Sequence, residues 1–420
     1  MYVHGTLSLC PHAAVLSAFV VAFHKWRPLE TTKYRRCGRP LAYILLVFMC
    51  YNISMVDLRD MTIGEMESFF VELGEPKYRA HQVFSWLYKG VTDFDEMVNI
   101  PKVLREKLSG AVYIGRLAIL EVQESKSDGT QKFLFGLTNG GGTNVVGADM
   151  EMTYANASDA DMRCADAVEA VFMKYKYGNS ICISSQAGCR MGCKFCASTR
   201  NGLSRNLTVG EMVSQVLEAT RQTGEFIGHM VVMGTGEPFD NYENLSRFIS
   251  ILHEKEVLGL SNRNITVSTC GIVPKIYDFA KDHPQVNLAI SLHAATDGKR
   301  SAMMPINNKY KIAEIMKAAK HYTAETGRRI TFEYTMVNGV NDSDEDARNL
   351  MSLLKGLNCH VNLIPLNKVE GTGFDTVSRK RAEEFAEMLE NSGVTATVRR
   401  ELGSDIDAAC GQLRLKKSRE

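Results

Sequence analysis

Three cysteines within eight residues, Cys189-Arg190-Met191-Gly192-Cys193-Lys194-Phe195-Cys196, constrain this chain more than any other feature. They follow a strand-like run, Ser180 to Ser185. Their C-x3-C-x2-C spacing lets several thiolates converge from one short loop on a soft metal centre. The number of ligands matters. A structural zinc site closes with four, the second pair usually supplied by another C-x2-C or H-x3-H, and the sequence contains no such pair. An iron–sulfur cluster held by three thiolates keeps one iron open, and an open metal position is where a substrate or cofactor binds. The residues therefore read as a 4Fe-4S cluster on Cys189, Cys193 and Cys196.

With 420 residues, 45% hydrophobic and 23% charged, the chain can build one large domain and a small one. Its eleven cysteines are too unevenly spaced for a secreted disulfide framework. An oxygen-sensitive cluster belongs in a reducing cytosol, so a cytoplasmic location is expected. A net charge of +1 excludes little: a nucleic-acid enzyme would have to gather its positive charge on one face. Residues 1–54 form an atypical extension. Its two apolar runs, Val15 to Phe23 and Leu41 to Tyr51, both fall short of the roughly 20 residues that cross a bilayer, so no membrane association is expected. The extension is expected to be disordered or an artefact of start-site choice, with the folded protein starting near Met55.

Residues 55–110 read as a small helical accessory domain. Thr62 followed by Glu65 is a helix-start signal, and Met66, Phe69, Phe70 and Leu73 recur at helical spacing. Tyr78 to Tyr88 and Pro101 to Leu108 give two further helices. Lys77, Arg79, Lys102, Arg105 and Lys107 make this unit a candidate grip on a phosphate backbone. Residues 111–177 read as a β-rich linker, with extended segments at Val112–Leu120, Thr130–Leu137 and Ala167–Tyr175 and an inserted loop at 139–165.

Between 178 and 413, strand-like and helix-like runs alternate. Strands are expected at Ile181–Ser185, His229–Met233, Asn264–Ser268, Asn287–Leu292, Ile330–Met336 and His360–Pro365. Helices are expected at Thr208–Thr223, Tyr242–Lys255, Pro274–Asp282, Lys311–Thr326, Asp344–Lys355 and Ser378–Asn391. Six βα units make a partial parallel barrel whose active site forms at the carboxyl ends of the strands. Unusual residues sit at those ends: the cysteine loop, then Gly234-Thr235-Gly236-Glu237-Pro238, Ser268, Ser291-Leu292-His293 and Asn367. Glycines admit a ligand close to the backbone, and the carboxylate, hydroxyl, imidazole and amide groups suit a nucleoside cofactor with an ammonium group. Gly236, Glu237, Ser268, Ser291, Leu292, His293 and Asn367 are thus the candidate cofactor-binding residues. A short basic tail, 414–420, ends the chain.

In this setting the C-x3-C-x2-C loop resembles the signature of radical S-adenosylmethionine (SAM) enzymes, and Gly236-Glu237-Pro238 resembles the motif by which they hold the cofactor's methionine amine. The resemblance implies that the open iron chelates SAM and that one electron cleaves it to methionine and a 5'-deoxyadenosyl radical. Cys182 in the first strand, Glu169 in Ala167 to Tyr175, and Cys410 in Gly403-Ser404-Asp405-Ile406-Asp407-Ala408-Ala409-Cys410-Gly411-Gln412-Leu413 narrow it further. Together they resemble the dual-specificity 23S rRNA/tRNA methyltransferases that act on C2 of adenosine, over about Met55 to Leu413. The fold this implies is α/β: a partial (β/α)6 radical-SAM barrel with an N-terminal helical accessory domain and a short β extension. The chain departs from the family in residues 1–54 and in a 139–165 loop longer than usual.

C2 of adenine is electron-poor and cannot attack a methyl sulfonium as a nucleophile, whereas a carbon radical can add to it. The resemblance implies that Cys410 takes a methyl group from one SAM. The radical from a second SAM abstracts hydrogen from that methyl, and the resulting carbon adds to C2, tethering RNA to protein. Glu169 then removes the C2 proton. Cys182 attacks the Cys410 sulfur, leaving a transient Cys182–Cys410 disulfide for reduction. Implied partners are 23S rRNA at the peptidyl-transferase centre, tRNAs with a target adenosine beside the anticodon, and an electron donor such as flavodoxin. RNA contacts are expected from Lys174, Lys176, Arg190, Lys194, Arg200 and Arg205.

Related resistance methyltransferases acting at C8 resemble the chain at the same three catalytic positions. The Cys196–Leu207 loop and the helical N-terminal part favour C2. A non-catalytic RNA-binding protein stabilised by metal is the reading from another class. A chain beginning at Met55 is expected to fold and to keep full methylation activity, as measured with labelled SAM; loss of folding or turnover would make the first 54 residues part of the working protein.

Overall fold

The computed structural model describes residues 55–137 and 167–417, apart from 255, 256, 258, 370, 404 and 408. The apolar runs before Met55, the 139–165 insertion and the last three residues of the basic tail lie outside the described residues. Among the described residues, no helix is long and apolar enough to cross a membrane.

Strand β1 (Val56–Asp57) leads into helices α1 (Ile63–Glu72), α2 (Lys77–Tyr88) and α3 (Lys102–Ala111), and β2 (Val112–Tyr113) returns to pair in parallel with β1. The helix start read at Thr62 is a full capping box: the Thr62 side chain accepts from the Glu65 amide, and the Glu65 carboxylate accepts from the Thr62 amide. Met66 and Phe70 bury the inner face of α1 against Ala80, Val83, Phe84 and Leu87 of α2. Two arginines tie this unit to the barrel. The buried Arg59 guanidinium donates to the carbonyls of Val91 and Gly115 and to Ser214 Oγ on a barrel helix. Arg247, on another barrel helix, forks onto Glu65 at 2.6 and 2.7 Å.

A ten-stranded sheet forms the rest. Strands β3 (Ala118–Glu124), β4 (Gln131–Gly136), β5 (Ala167–Tyr175) and β6 (Gly178–Ile183) are antiparallel neighbours. From β6 the sheet continues in parallel through β9 (His229–Val232), β10 (Ile265–Thr269), β11 (Asn287–Ser291), β12 (Ile330–Met336), β13 (Cys359–Pro365) and β14 (Ala396–Val398). Between β6 and β9 lies a separate hairpin of β7 (Gln186–Gly188) and β8 (Leu203–Asn206). The six strands expected from alternation are all present. The connecting helices are α4 (Val209–Thr223), α5 (Tyr242–His253), α6 (Val273–Asp282), the short α7 (Asp297–Met303), α8 (Ile312–Thr326), α9 (Asp344–Leu354) and α10 (Arg379–Asn391).

Three details differ from the sequence reading. β14 adds a seventh parallel strand, too short at three residues to show a period. The extended run expected at Val112–Leu120 breaks into β2 and the start of β3. The β7–β8 hairpin was not anticipated, because its strands of three and four residues flank the cysteine loop rather than form a run of their own.

Replacing Arg59 by Met leaves the buried Val91 carbonyl without its donor and the Gly115 carbonyl with Ser214 Oγ alone, at about 3 kcal/mol. The expected outcome is a thermal midpoint several degrees lower, measured by calorimetry, with earlier hydrogen-exchange opening of Ile63–Ala111 than of the barrel strands.

Candidate active site

The cysteine loop leaves the barrel from β6 and is framed by the β7–β8 hairpin. The Cys189 amide donates to the Gly202 carbonyl at 2.9 Å, closing the loop at its neck. Thr199 Oγ1 donates to the carbonyls of both Cys193 and Cys196 at 3.1 Å. The Lys194 amide reaches the Met303 carbonyl at 3.0 Å, and Phe195 packs edge-on against His293, with ring centroids 5.1 Å apart. All three cysteines line a cavity of about 770 Å³ inside the barrel. Burial outweighs an opposing backbone hydrogen bond and, with the neighbouring Cys196 thiol adding to it, leaves Cys189 pushed up to about 12. Burial and the charges of Cys196 and Cys189 raise Cys193 as well. Such thiols ionise only when a cationic centre offsets the desolvation. Among the described residues, no three His, Cys, Asp or Glu side chains converge as ligands of a single ion would. An all-sulfur donor set spread over one loop fits a multi-iron body.

The strand ends supply the rest of the wall. Gly236, Glu237, Ser268, Ser291, His293 and Asn367 all line the cavity. Gly236 has φ +112°, and a Cβ there would lie 2.6 Å from the Gln186 Cβ, so only glycine fits. The buried Glu237 carboxylate accepts from Thr269 Oγ1 (2.7 Å) and from the amides of Cys270 (2.7 Å) and Phe239 (3.0 Å). Burial still raises its pKa. His293, at φ 55°, is the one non-glycine residue with positive φ among the described residues. Its Nδ1 accepts from the Thr335 amide at 2.9 Å. Burial, then the charge of Arg300, lowers its pKa to about 3, so the ring is neutral.

Leu292 does not belong with these residues. Its side chain lies fully in the hydrophobic core, its amide donates to the Glu333 carbonyl, and its carbonyl accepts from Arg300 Nε at 3.1 Å. Just past the end of β11, Leu292 turns into the core while Ser291 and His293 face the cavity. Arg300, buried on α7, also donates to the carbonyls of Cys270 and Ser291 and to Asn307 Oδ1. It thereby fixes the ends of β10 and β11 together.

The tail brings Cys410 to the same cavity. Cys410 lies 3.6 Å from Ser198 Oγ, just beyond the cysteine loop, and its surface opens into the cavity that Cys182 and Glu169 also line. Gly411, at φ +76°, allows this approach, because a Cβ there would meet Ser198 Oγ at 2.9 Å. Although Cys410 is exposed, the wall packed around its sulfur raises the thiol by desolvation, and the Glu169, Cys196 and Cys182 charges add to the effect. Glu169 is buried. Its Oε2 accepts from the Gly411 amide (2.6 Å) and Lys132 Nζ (2.9 Å), and its Oε1 from the Arg414 amide (2.7 Å). The tail is also clamped further out. Asp405 accepts from Ser125 Oγ and the Lys126 amide, Asp128 from the Gly403 amide, and Gln123 Oε1 from the Asp407 amide. Leu413, at the start of α11 (Gln412–Lys417), packs on Leu134 and Ala167.

Several basic residues expected to meet RNA are already engaged. Lys174 pairs with Glu225, Arg190 with Asp240 and Arg205 with Glu211. In the helical unit Lys77, Lys102, Arg105 and Lys107 pair with Glu67, Glu106, Asp95 and Glu75, while Arg79 donates to Gln82. The cavity wall also carries Arg399, Arg400, Arg379 and Lys368, which sequence reasoning missed; of these, Arg379 pairs with Glu383 and Lys368 with Asp375. Arg399-Arg400 directly follows a strand too short to be noticed. Lys132 and Glu333 were missed as well. A charged residue inside an otherwise apolar strand was their available signal.

An open parallel βα sheet with three loop thiols beyond its first parallel strand, facing an interior cavity, defines a radical SAM enzyme. Residues 183–351 match the radical SAM superfamily, and residues 56–114 match the ribosomal RNA large subunit methyltransferase N-terminal domain. A Clostridium perfringens (strain SM101) protein named "Probable dual-specificity RNA methyltransferase RlmN" is 50% identical over 361 residues, covering 86% of this chain and 97% of the relative. A protein of the same name from Thermoanaerobacter sp. (strain X514) is 48% identical over 367 residues, covering 87% and 100%. A crystal structure of a radical SAM methyltransferase from Sphaerobacter thermophilus is 41% identical, with TM-score 0.76, covering 85% of this chain and 98% of that one. The chain belongs to the RlmN family of radical SAM RNA methyltransferases. Membership implies a 4Fe-4S cluster and the use of SAM.

The Asp128–Gly403 clamp carries a pH signature. Burial opposes ionisation of Asp128, but the hydrogen bonds of Thr130 and the Gly403 amide outweigh it and hold the carboxyl at about 2, against 3.8 unperturbed. A depressed carboxyl stabilises the fold above its unfolded pKa and loses that contribution as pH falls through the folded one. Hydrogen-exchange protection of the 403–410 segment, corrected for intrinsic rates, is expected to hold from neutral pH down to 3.8 and to fall towards about 2. Asp128→Asn should weaken it throughout.

Proposed function

We propose that this protein methylates C2 of adenosine in 23S rRNA and in tRNA, with Cys410 as the methyl carrier. The observation that carries this reading is the meeting of Cys410, Cys182, Glu169 and the three loop cysteines around one cavity, from four separate stretches of chain. Cys189, Cys193 and Cys196 would hold the cluster. Gly236, Glu237, Ser268, Ser291, His293 and Asn367 would hold SAM, used twice per turnover. Once bound, these groups would supply one-electron cleavage of a carbon–sulfur bond, and so a carbon radical able to functionalise an electron-poor ring carbon.

The chain's own groups do the rest. The Cys410 sulfur accepts a methyl group and presents it from the tail into the cavity. Once that carbon is joined to C2, Glu169, beside Cys410, takes the C2 proton. The Cys182 thiol attacks the Cys410 sulfur, the carbon–sulfur bond breaks, methylated RNA leaves, and the disulfide awaits reduction; an electron donor such as flavodoxin is the redox partner. The neutral His293 imidazole, held through Nδ1, offers its Nε2–H as a donor to a bound ligand. Arg399, Arg400, Arg379 and Lys368 around the cavity suit the phosphates flanking an extruded base. The 55–110 unit would act as an RNA-binding accessory domain to the 178–413 methyltransferase domain. A reducing, cytoplasmic setting suits the free thiols.

Cys410→Ala is expected to abolish incorporation of label from SAM into rRNA fragments and tRNA while leaving iron content and cluster absorbance intact. Nucleoside mass analysis of the wild-type product should show 2-methyladenosine. A turnover-competent Cys410→Ala, or an 8-methyl product, would overturn the assignment.

A further inference from the structure

We propose that Lys132 is the positioning residue that sets the Cys410 loop against Glu169, and that it acts through the tail without touching the substrate. This rests on the reading of Cys410 as methyl carrier. Lys132 is the second residue of β4, opposite Val171 of β5 and Gln123 of β3, with its side chain fully buried. Its ammonium has three donors, and each meets an acceptor: Glu169 Oε2 at 2.9 Å, the Asp407 carbonyl at 2.5 Å and the Ala409 carbonyl at 2.6 Å. Two of these acceptors belong to the residue next to Cys410 and the residue three before it. The third is the carboxylate whose other donors are the amides of Gly411 and Arg414.

Lys132 and Glu169 thus grip the tail on both sides of Cys410, one through carbonyls and the other through amides, and are joined to each other by an ion pair. Lysine fits this position because its donors diverge tetrahedrally towards three separate oxygens, whereas a planar guanidinium favours two coplanar ones. The carbon carried on the Cys410 sulfur has to meet a ring carbon while Glu169 meets the proton on that same carbon. An error of about 1 Å in such an arrangement costs on the order of a hundredfold in rate.

The test uses cluster-loaded protein under anaerobic conditions with Lys132→Met and Lys132→Arg. Two readouts are taken: the alkylation rate of Cys410 by iodoacetamide, followed by peptide mass spectrometry, and kcat and KM for an rRNA fragment. Lys132→Met is expected to label at Cys410 about tenfold faster or more, and to lose about tenfold or more in kcat with KM for RNA unchanged. Lys132→Arg keeps the charge opposite Glu169, which protects the fold if the Met variant is not recovered folded, and should show the same two effects in smaller measure. Folded variants with wild-type labelling and kcat would overturn the proposal, as would a loss expressed in KM alone. Failure of the underlying reading is separate: it would appear as RNA methylation by Cys410→Ala, whatever the labelling rates at Lys132.

Discussion

The site depends on holding a C-terminal segment inside the open side of a barrel. Ordering such a segment costs roughly 1–2 kcal/mol of backbone entropy per residue, and a few apolar contacts such as Leu413 on Leu134 and Ala167 would not offset that for the whole loop. The compensating interaction is the buried Lys132–Glu169 pair. A buried ion pair is tolerable only when its remaining hydrogen-bonding capacity is satisfied. Here the tail's own backbone satisfies it, through two carbonyls and two amides. The pair needs the tail as much as the tail needs the pair, so the sheet extension β3–β5 and the last stretch of the chain are stabilised as one unit.

The same logic explains why the antiparallel extension is attached to the barrel at all. β5 pairs with β6, and Cys182 on β6 lies opposite Val171 of β5. One strand therefore carries Glu169 while its neighbour carries Cys182 and runs on into the cysteine loop. Alternation along β5 turns Glu169, Val171 and Met173 towards the cavity. At the other strand ends, strain and buried polarity collect around the same space. His293 is held at positive φ, Glu237 is desolvated yet triply hydrogen-bonded, and Glu333 is bound by Asn362. Arg300 stitches β10 to β11 below them. Such groups are costly in a core, and the cost is concentrated where a ligand would use them.

Much of this was legible beforehand. The alternation from 178 onward gave the parallel strands and their helices to within a few residues, since strands buried on both faces read as apolar runs. The cysteine spacing and the glycine–carboxylate turn located the cavity. Leu292 shows the limit: it lies between two cavity residues in sequence, and the backbone just past the end of β11 sends it into the core. The basic residues show another limit. Charge is visible in sequence, but its neutralisation by Glu225, Asp240 and Glu211 depends on neighbours brought together by folding.

The sequence by itself determined the thiol loop, the order of strands and helices and the candidacy of Glu169, Cys182 and Cys410, because each is encoded in local spacing or in a short motif. Tertiary structure alone decided that Cys410 reaches the cavity, that Lys132 is its anchor, and that Arg399 and Arg400 face the site. The grip on Cys410 is set by contacts between residues more than 200 positions apart. No local pattern records such contacts, because their energy exists only once the sheet has brought both sides together.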